Sequence, residues 1–447
     1  MGVRQEIKPM LVLAWPVVVS ELGWMAMVVV DTMMVGRISA EAIGAVSLGA
    51  AAVHAVSVFG VGLLLGLDPL VSQAWGARRI RDCHHFLVQA LYISIVASPL
   101  LMGLVWSYAP LLELLGVDRQ IEILARPYMD AINWSIFPLM LFTAFRRYLQ
   151  GMGRVGWVMV VLVSANLINV AANWVFIFGN LGFTAMGATG AGWATFASRT
   201  YMFLALLVYV LVCESRLATG LKKITLSPAV DDIRRIINLG FPAAIQTALE
   251  VGVFAAGTTL IAKLGAIPLA SHQIALNCAA VAFMVPLAIS SAGAIRVGHA
   301  LGRECPNEAR SAGWAALLLG ASFMGCAAVV FVMVPEPILR MFTVNTEVLA
   351  AGATLLYVAA LFQLSDGLQV VATGVLRGAG ETRIPMISTL FGHWALGLPI
   401  GYLLCFQWGW GASGIWVGWV VGLTTVAVVL LVTWHWKMGR KPHLATD

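Results

Sequence analysis

The chain has 447 residues, 60% of them hydrophobic and only 11% charged, with a mean hydropathy of +0.89. Soluble domains are about 45–50% apolar and about 25% charged, so a globular cytosolic protein is excluded. The formal net charge of +6 is spread between apolar runs and reads as membrane topology, not as a surface for nucleic acid.

A spanning helix needs about 20 apolar residues, and the chain supplies twelve such runs. The first, at 10–35, has Pro16 near its start and holds Glu21 and Asp31, the latter within WMAMVVVDTMMVG. No cleavable apolar leader precedes it, so this span is expected in the mature protein. Spans two and three, at 46–70 and 86–108, flank Arg78, Arg79 and Arg81; Asp68, just before Pro69, reads as an interfacial anchor. Span four, 124–145, ends on Arg146 and Arg147, and spans five and six follow at 156–178 and 188–212, with Arg199 inside the sixth.

The longest hydrophilic stretch, 213–238, falls halfway along the chain and reads as a linker between an N-terminal lobe, 1–212, and a C-terminal lobe, 239–447. From Pro228 it predicts a short amphipathic helix on the membrane surface. Asp231 and Asp232 stand in its first turn and Arg234 and Arg235 follow, an order that suits the helix dipole. Span seven, 239–262, carries Pro242 and Glu250. Span eight, 271–294, carries Gln273 and Asn277 one turn apart, where they could line a cavity. Spans nine to twelve lie at 312–334, 349–372, 385–406 and 413–436, with Asp366 in the tenth and His393 in the eleventh.

With the N-terminus in the cytoplasm, 21 of the 27 Lys and Arg fall on the inner side. The positive-inside rule therefore predicts that both termini are cytoplasmic. The six Cys are scattered singly and no His shows ligand spacing, so no cofactor or resident metal is expected.

The two halves match at a shift of 226 residues. AWPVVVS (14–20) lies over GFPAAIQ (240–246), VGRISA (35–40) over IAKLGA (261–266), and VSQAWG (71–76) over VGHALG (297–302). Each half has an even number of spans, so the repeat is parallel. The pattern predicts an all-α membrane protein of twelve transmembrane helices, in two pseudo-symmetric six-helix bundles around a central cavity.

Asp31, Glu250 and Asp366 break the repeat, since Asp31 falls opposite Gly257 and Glu250 opposite Trp24. A carboxyl group near the middle of a bilayer costs several kcal/mol by most estimates, and packing alone would favour Leu or Ala there. The trio points to handling of protons or cations inside the membrane. No Ser/His dyad, paired-aspartate or HExxH pattern is visible, and the loops are too short for a catalytic domain, so the chain does not read as an enzyme.

These residues resemble the multidrug and toxic compound extrusion (MATE) family over nearly the whole chain. The resemblance is carried by PVVVSELGWMAMVVVDTMMVGR, DPLVSQAWGA, RRYLQGMG, ALEVGVFAAG and LSDGLQVVATGVLRGAG, and the acid trio looks like the NorM branch. It implies a monomer in the bacterial inner membrane that exports small-molecule drugs and xenobiotics, driven by inward H+ or Na+. It associates Glu250 and Asp366 with cation binding, Na+ included, and Asp31 with protonation and bending of span one. It further implies an N-lobe network of Asn169, Asn173 and Thr195 facing Asp31. Glu21 departs from the family pattern, where a neutral residue is commoner, and is a candidate for cavity lining. The competing reading is a lipid-linked saccharide flippase of the same superfamily. Such proteins usually hold a pyrophosphate with cavity cations, and Arg199 is the only within-span candidate.

Overall fold

The computed structural model describes residues 2–114, 119–217, 220–221 and 225–439. Lys222, Lys223, Arg440 and Lys441, counted above among the inner charges, lie outside them. The protein is all-α and crosses the membrane many times: among the described residues, eleven helices are long and apolar enough to span a bilayer. Helices dominate because only a helix satisfies its own backbone polar groups in lipid.

In chain order, α1 is Val3–Val35, α2 Ala40–Leu63, α3 Leu67–Gly76, α4 Ile80–Leu114, α5 Arg119–Trp134, α6 Ile136–Gly151, α7 Val155–Phe178 and α8 Ala188–Leu217. Then come α9 Val230–Ala262, α10 Ala266–Gly302, α11 Pro306–Met333, the short α12 Pro335–Arg340, α13 Thr346–Gly378, α14 Arg383–Thr389, α15 Leu398–Tyr402 and α16 Ala412–Gly439. One 3₁₀ turn, Leu64–Gly66, joins α2 to α3 into a single apolar crossing of Glu41–Gly76.

Three stretches differ from the sequence reading. The expected fourth span is two helices, α5 and α6, parted at Ser135. Pro138 has no N–H to offer the carbonyl of Trp134, and the helix stops there. The expected surface helix after Pro228 is instead the first turns of α9, which runs without interruption into the seventh span. The eleventh span contains two π-helical segments, Leu390–Gly397 and Leu403–Gln407. Pro399, which has no N–H, follows directly on the first segment and its cap.

The chain forms two compact units, one made of Met1–Val18 with Ile245–Asp447 and the other of Val19–Ala244. The stretch 213–238, expected as a linker, falls inside the second of these. In the first unit, Met10 and Ala14 of α1 are buried with Ile289, Val371 and Trp434, while Val253, Leu356, Trp416 and Trp419 centre a further core. Met27, Leu64, Phe142, Tyr148 and Leu162 are core residues of the other unit. Small residues let helices approach closely in both: a Cβ on Gly240 of α9 would stand 1.8 Å from the Leu63 carbonyl oxygen, and one on Gly374 of α13 2.1 Å from Ser290 Oγ.

Candidate functional site

Among the described residues, the three carboxyls of the apolar runs fall in two polar networks, one in each unit. In the Val19–Ala244 unit, α1 presents Asp31 to α7 and α8. Asn173 Nδ2 donates to Asp31 Oδ1 at 2.6 Å and to Asn169 Oδ1 at 3.1 Å. Asn169 and Asn173 are one turn apart and therefore share a face of α7, and both are fully buried. Thr195 Oγ1 lies 3.3 Å from Asp31 Oδ2 and 3.1 Å from the Ala191 carbonyl, so one hydroxyl proton serves both. Every group that meets the carboxylate here is a hydrogen-bond donor. The predicted set of Asp31, Asn169, Asn173 and Thr195 is brought together at one place.

Glu21, ten residues earlier on α1, pairs with Arg146 of α6. The neighbouring Arg147 lies 3.7 Å from Asp68, and both side chains are largely buried. The run of two arginines that closes the fourth span thus supplies counter-charges to α1 and α3. Sequence alone gave no sign of these pairings, since Arg146 is 125 residues from Glu21.

In the other unit, α9 and α13 bring Glu250 together with residues the sequence reading did not single out. Gln246 Nε2 donates to Glu250 Oε1 at 3.1 Å, and Gln369 Nε2 donates to the same oxygen at 2.5 Å. Gln246 also donates to Thr373 Oγ1 at 3.2 Å. Gln246 stands one turn before Glu250, and Gln369 one turn before Thr373 and three residues after Asp366, spacings that could have marked them. Asp366 is buried and lies within electrostatic reach of Glu250. Neither carboxylate forms an ion pair among the described residues.

Gln273 and Asn277 are exposed one turn apart on α10. Their neighbour His272, fully buried, accepts from Trp416 Nε1 at Nδ1 (3.1 Å) and meets Thr258 Oγ1 at Nε2 (2.9 Å), a satisfied core histidine. His393 is buried in the first π-helical segment of the eleventh span and finds no hydrogen-bond partner among the described residues. No group of three or more His, Cys, Asp or Glu gathers with metal-site geometry among the described residues.

A family model described as MatE matches residues 16–175 and 242–403. The probable multidrug resistance protein NorM of Mesorhizobium japonicum is 36% identical over 99% of this chain and 96% of its own. The multidrug resistance protein NorM of Photobacterium profundum is 34% identical over 97% of this chain and 96% of its own. Among solved structures, the eukaryotic MATE transporter AtDTX14 superposes with a TM-score of 0.87 at 22% identity, covering 98% of both chains.

Proposed function

The chain belongs to the multidrug and toxic compound extrusion family, and from that premise we propose that it is a secondary antiporter exporting amphipathic, often cationic, organic compounds in exchange for inward H+ or Na+. Its relatives bear the name multidrug resistance protein, which supports the substrate class. On this reading both termini lie in the cytoplasm and the protein works by alternating access.

The observation that carries the reading is the pair Glu250 and Asp366. Two carboxyls share one apolar neighbourhood with amide and hydroxyl partners and no basic residue bonded to either. Such a group holds a bare charge at high cost and is relieved by a proton, a metal cation or a cationic ligand. Those occupants compete for the same negative charge, and competition is what exchange requires: each must favour a different state of the protein. Gln246, Gln369 and Thr373 would orient Glu250 within that site. Asp31, with its asparagines and Thr195, would act as a separate protonation switch, and the exposed Gln273 and Asn277 would line the path of the drug.

Single Asp31→Asn, Glu250→Gln and Asp366→Asn variants, expressed to equal levels in an efflux-deficient host, test this. Each is expected to lose most of the resistance to ethidium or a fluoroquinolone. Wild-type resistance from all three would show that these carboxyls do not drive export.

A further inference from the structure

Arg199 is a guanidinium at mid-depth in α8, eleven residues from the start of a helix that runs Ala188–Leu217. A charged side chain there needs a reason, and none of the residues assigned so far gives it one. It stands one turn beyond Thr195, on the same face of α8, and Thr195 reaches Asp31. On α1, Trp24 stands seven residues, two turns, before Asp31, and the guanidinium lies over its indole ring at 5.7 Å from the centroid. The two helices therefore meet in successive rungs, Thr195 to Asp31 and Arg199 to Trp24. That puts the guanidinium one to two turns, about 5–10 Å, along the helices from the carboxylate. Arg199 Nη1 also donates to Ser135 Oγ at 2.7 Å, at the break between α5 and α6.

We propose that Arg199 is the resident counter-cation of Asp31, a specificity-determining residue that reserves this carboxylate for a proton or an organic cation and keeps a metal ion from it. The inference rests on the antiport reading above and narrows it for one lobe. Na+ stripped of water needs several oxygen ligands turned toward it, as hard cations do. Asp31 is met instead by the Asn173 amide N–H and the Thr195 hydroxyl, with a fixed positive charge two turns away at most. The other ionisable groups around Arg199 are His54 of α2 and Tyr128 of α5, both within its electrostatic reach. Neither adds negative charge at neutral pH.

The consequence is a defined charge sequence. With Asp31 ionised, the Asp31–Arg199 set is neutral and tolerates an organic cation stacked near Trp24. With Asp31 protonated, Arg199 is uncompensated and repels that cation, so proton uptake itself drives release. Across roughly 8 Å at an intermediate dielectric, one unit charge changes affinity by tenfold or more, on the order of magnitude.

The test is equilibrium binding of ethidium to purified protein at low and high pH, with and without Na+, for wild type, Arg199→Met, Arg199→Lys and Arg199→Met combined with Asp31→Asn. Arg199→Met is expected to bind ethidium about tenfold more tightly than wild type at low pH. It is also expected to gain a component of Na+ competition that disappears in the double variant. Arg199→Lys, which restores the charge, is expected to follow wild type. Thermal unfolding in detergent checks folding, and Arg199→Gln supplies the same comparison should the Met variant unfold early. Equal low-pH affinity in Arg199→Met and wild type, with no Asp31-dependent Na+ effect, would overturn the proposal. Wild type that binds no ethidium at either pH would instead overturn the antiport reading on which it rests.

Discussion

Glu250 receives both of its amide hydrogen bonds on one oxygen, Oε1, from Gln246 and Gln369. Oε2 has no bonded partner among the described residues and is the atom through which a proton or cation would bind. A hydrogen bond to a charged group contributes about 1.5–3 kcal/mol and stabilises the ionised form, so under the proposed function it competes with the driving ion. Gln369→Leu should therefore hold that ion more tightly. The driving-ion concentration for half-maximal export is expected to fall about tenfold, with slower turnover because the ion leaves less readily. An unchanged half-maximal concentration would show that the amide does not act on Glu250. The three carboxyls were legible in the sequence because each interrupts a long apolar run. The partners of Asp31 came from the family resemblance, but those of Glu250 and Glu21 were not legible: a glutamine one turn away on the same helix looks like ordinary polar glue until the facing helix is in place, and Arg146 could not be matched to Glu21 without knowing that α1 packs on α6.

At the level of elements, prolines and glycines explain where the helices depart from ideal rods. Pro138 accounts for the break at Ser135, and its signal was present in the sequence. It was overlooked because the apolar run passes through it unchanged, so hydropathy alone reads one span. The π-helical segments of the eleventh span had no such signal, since a shift from i→i+4 to i→i+5 bonding leaves hydropathy untouched. Close helix approach is equally invisible in the sequence and sharply testable in the structure. Gly240 of α9 packs its backbone on Leu63, and neither backbone can move aside for a Cβ. Gly240→Ala is expected to destabilise by roughly 1–3 kcal/mol or more, read as a lower Tm in detergent. Gly325→Ala on α11, where a Cβ meets nothing within 4 Å, should leave Tm unchanged or slightly raised. Equal Tm values for the two variants would contradict this account of the packing.

In the molecule as a whole, the internal repeat is obeyed by the fold and ignored by the chemistry. The unit boundaries fall at Val18 and Ala244, each two residues past one of the repeat-related prolines, Pro16 and Pro242. The two helices α1 and α9 therefore each begin in one unit and continue in the other, a duplicated architecture that the sequence match already implied. Duplication of the fold was legible because a parallel repeat leaves matched prolines and glycines in the same order. The acids are not duplicated: the Val19–Ala244 unit has Asp31 with Asn173 and Thr195, while the other has Glu250, bonded by Gln246 and Gln369 and within electrostatic reach of Arg377, together with Asp366. The proposed function gives ion coupling to the second network and release control to the first. The direct measurement is ethidium export by purified protein in liposomes, with a pH or a Na+ gradient imposed, for wild type and Glu250→Gln/Asp366→Asn. Wild type is expected to export only when one of the gradients is present, and the double variant to ignore both. Gradient-driven export at the wild-type rate by the double variant would contradict the assignment of coupling to these carboxyls.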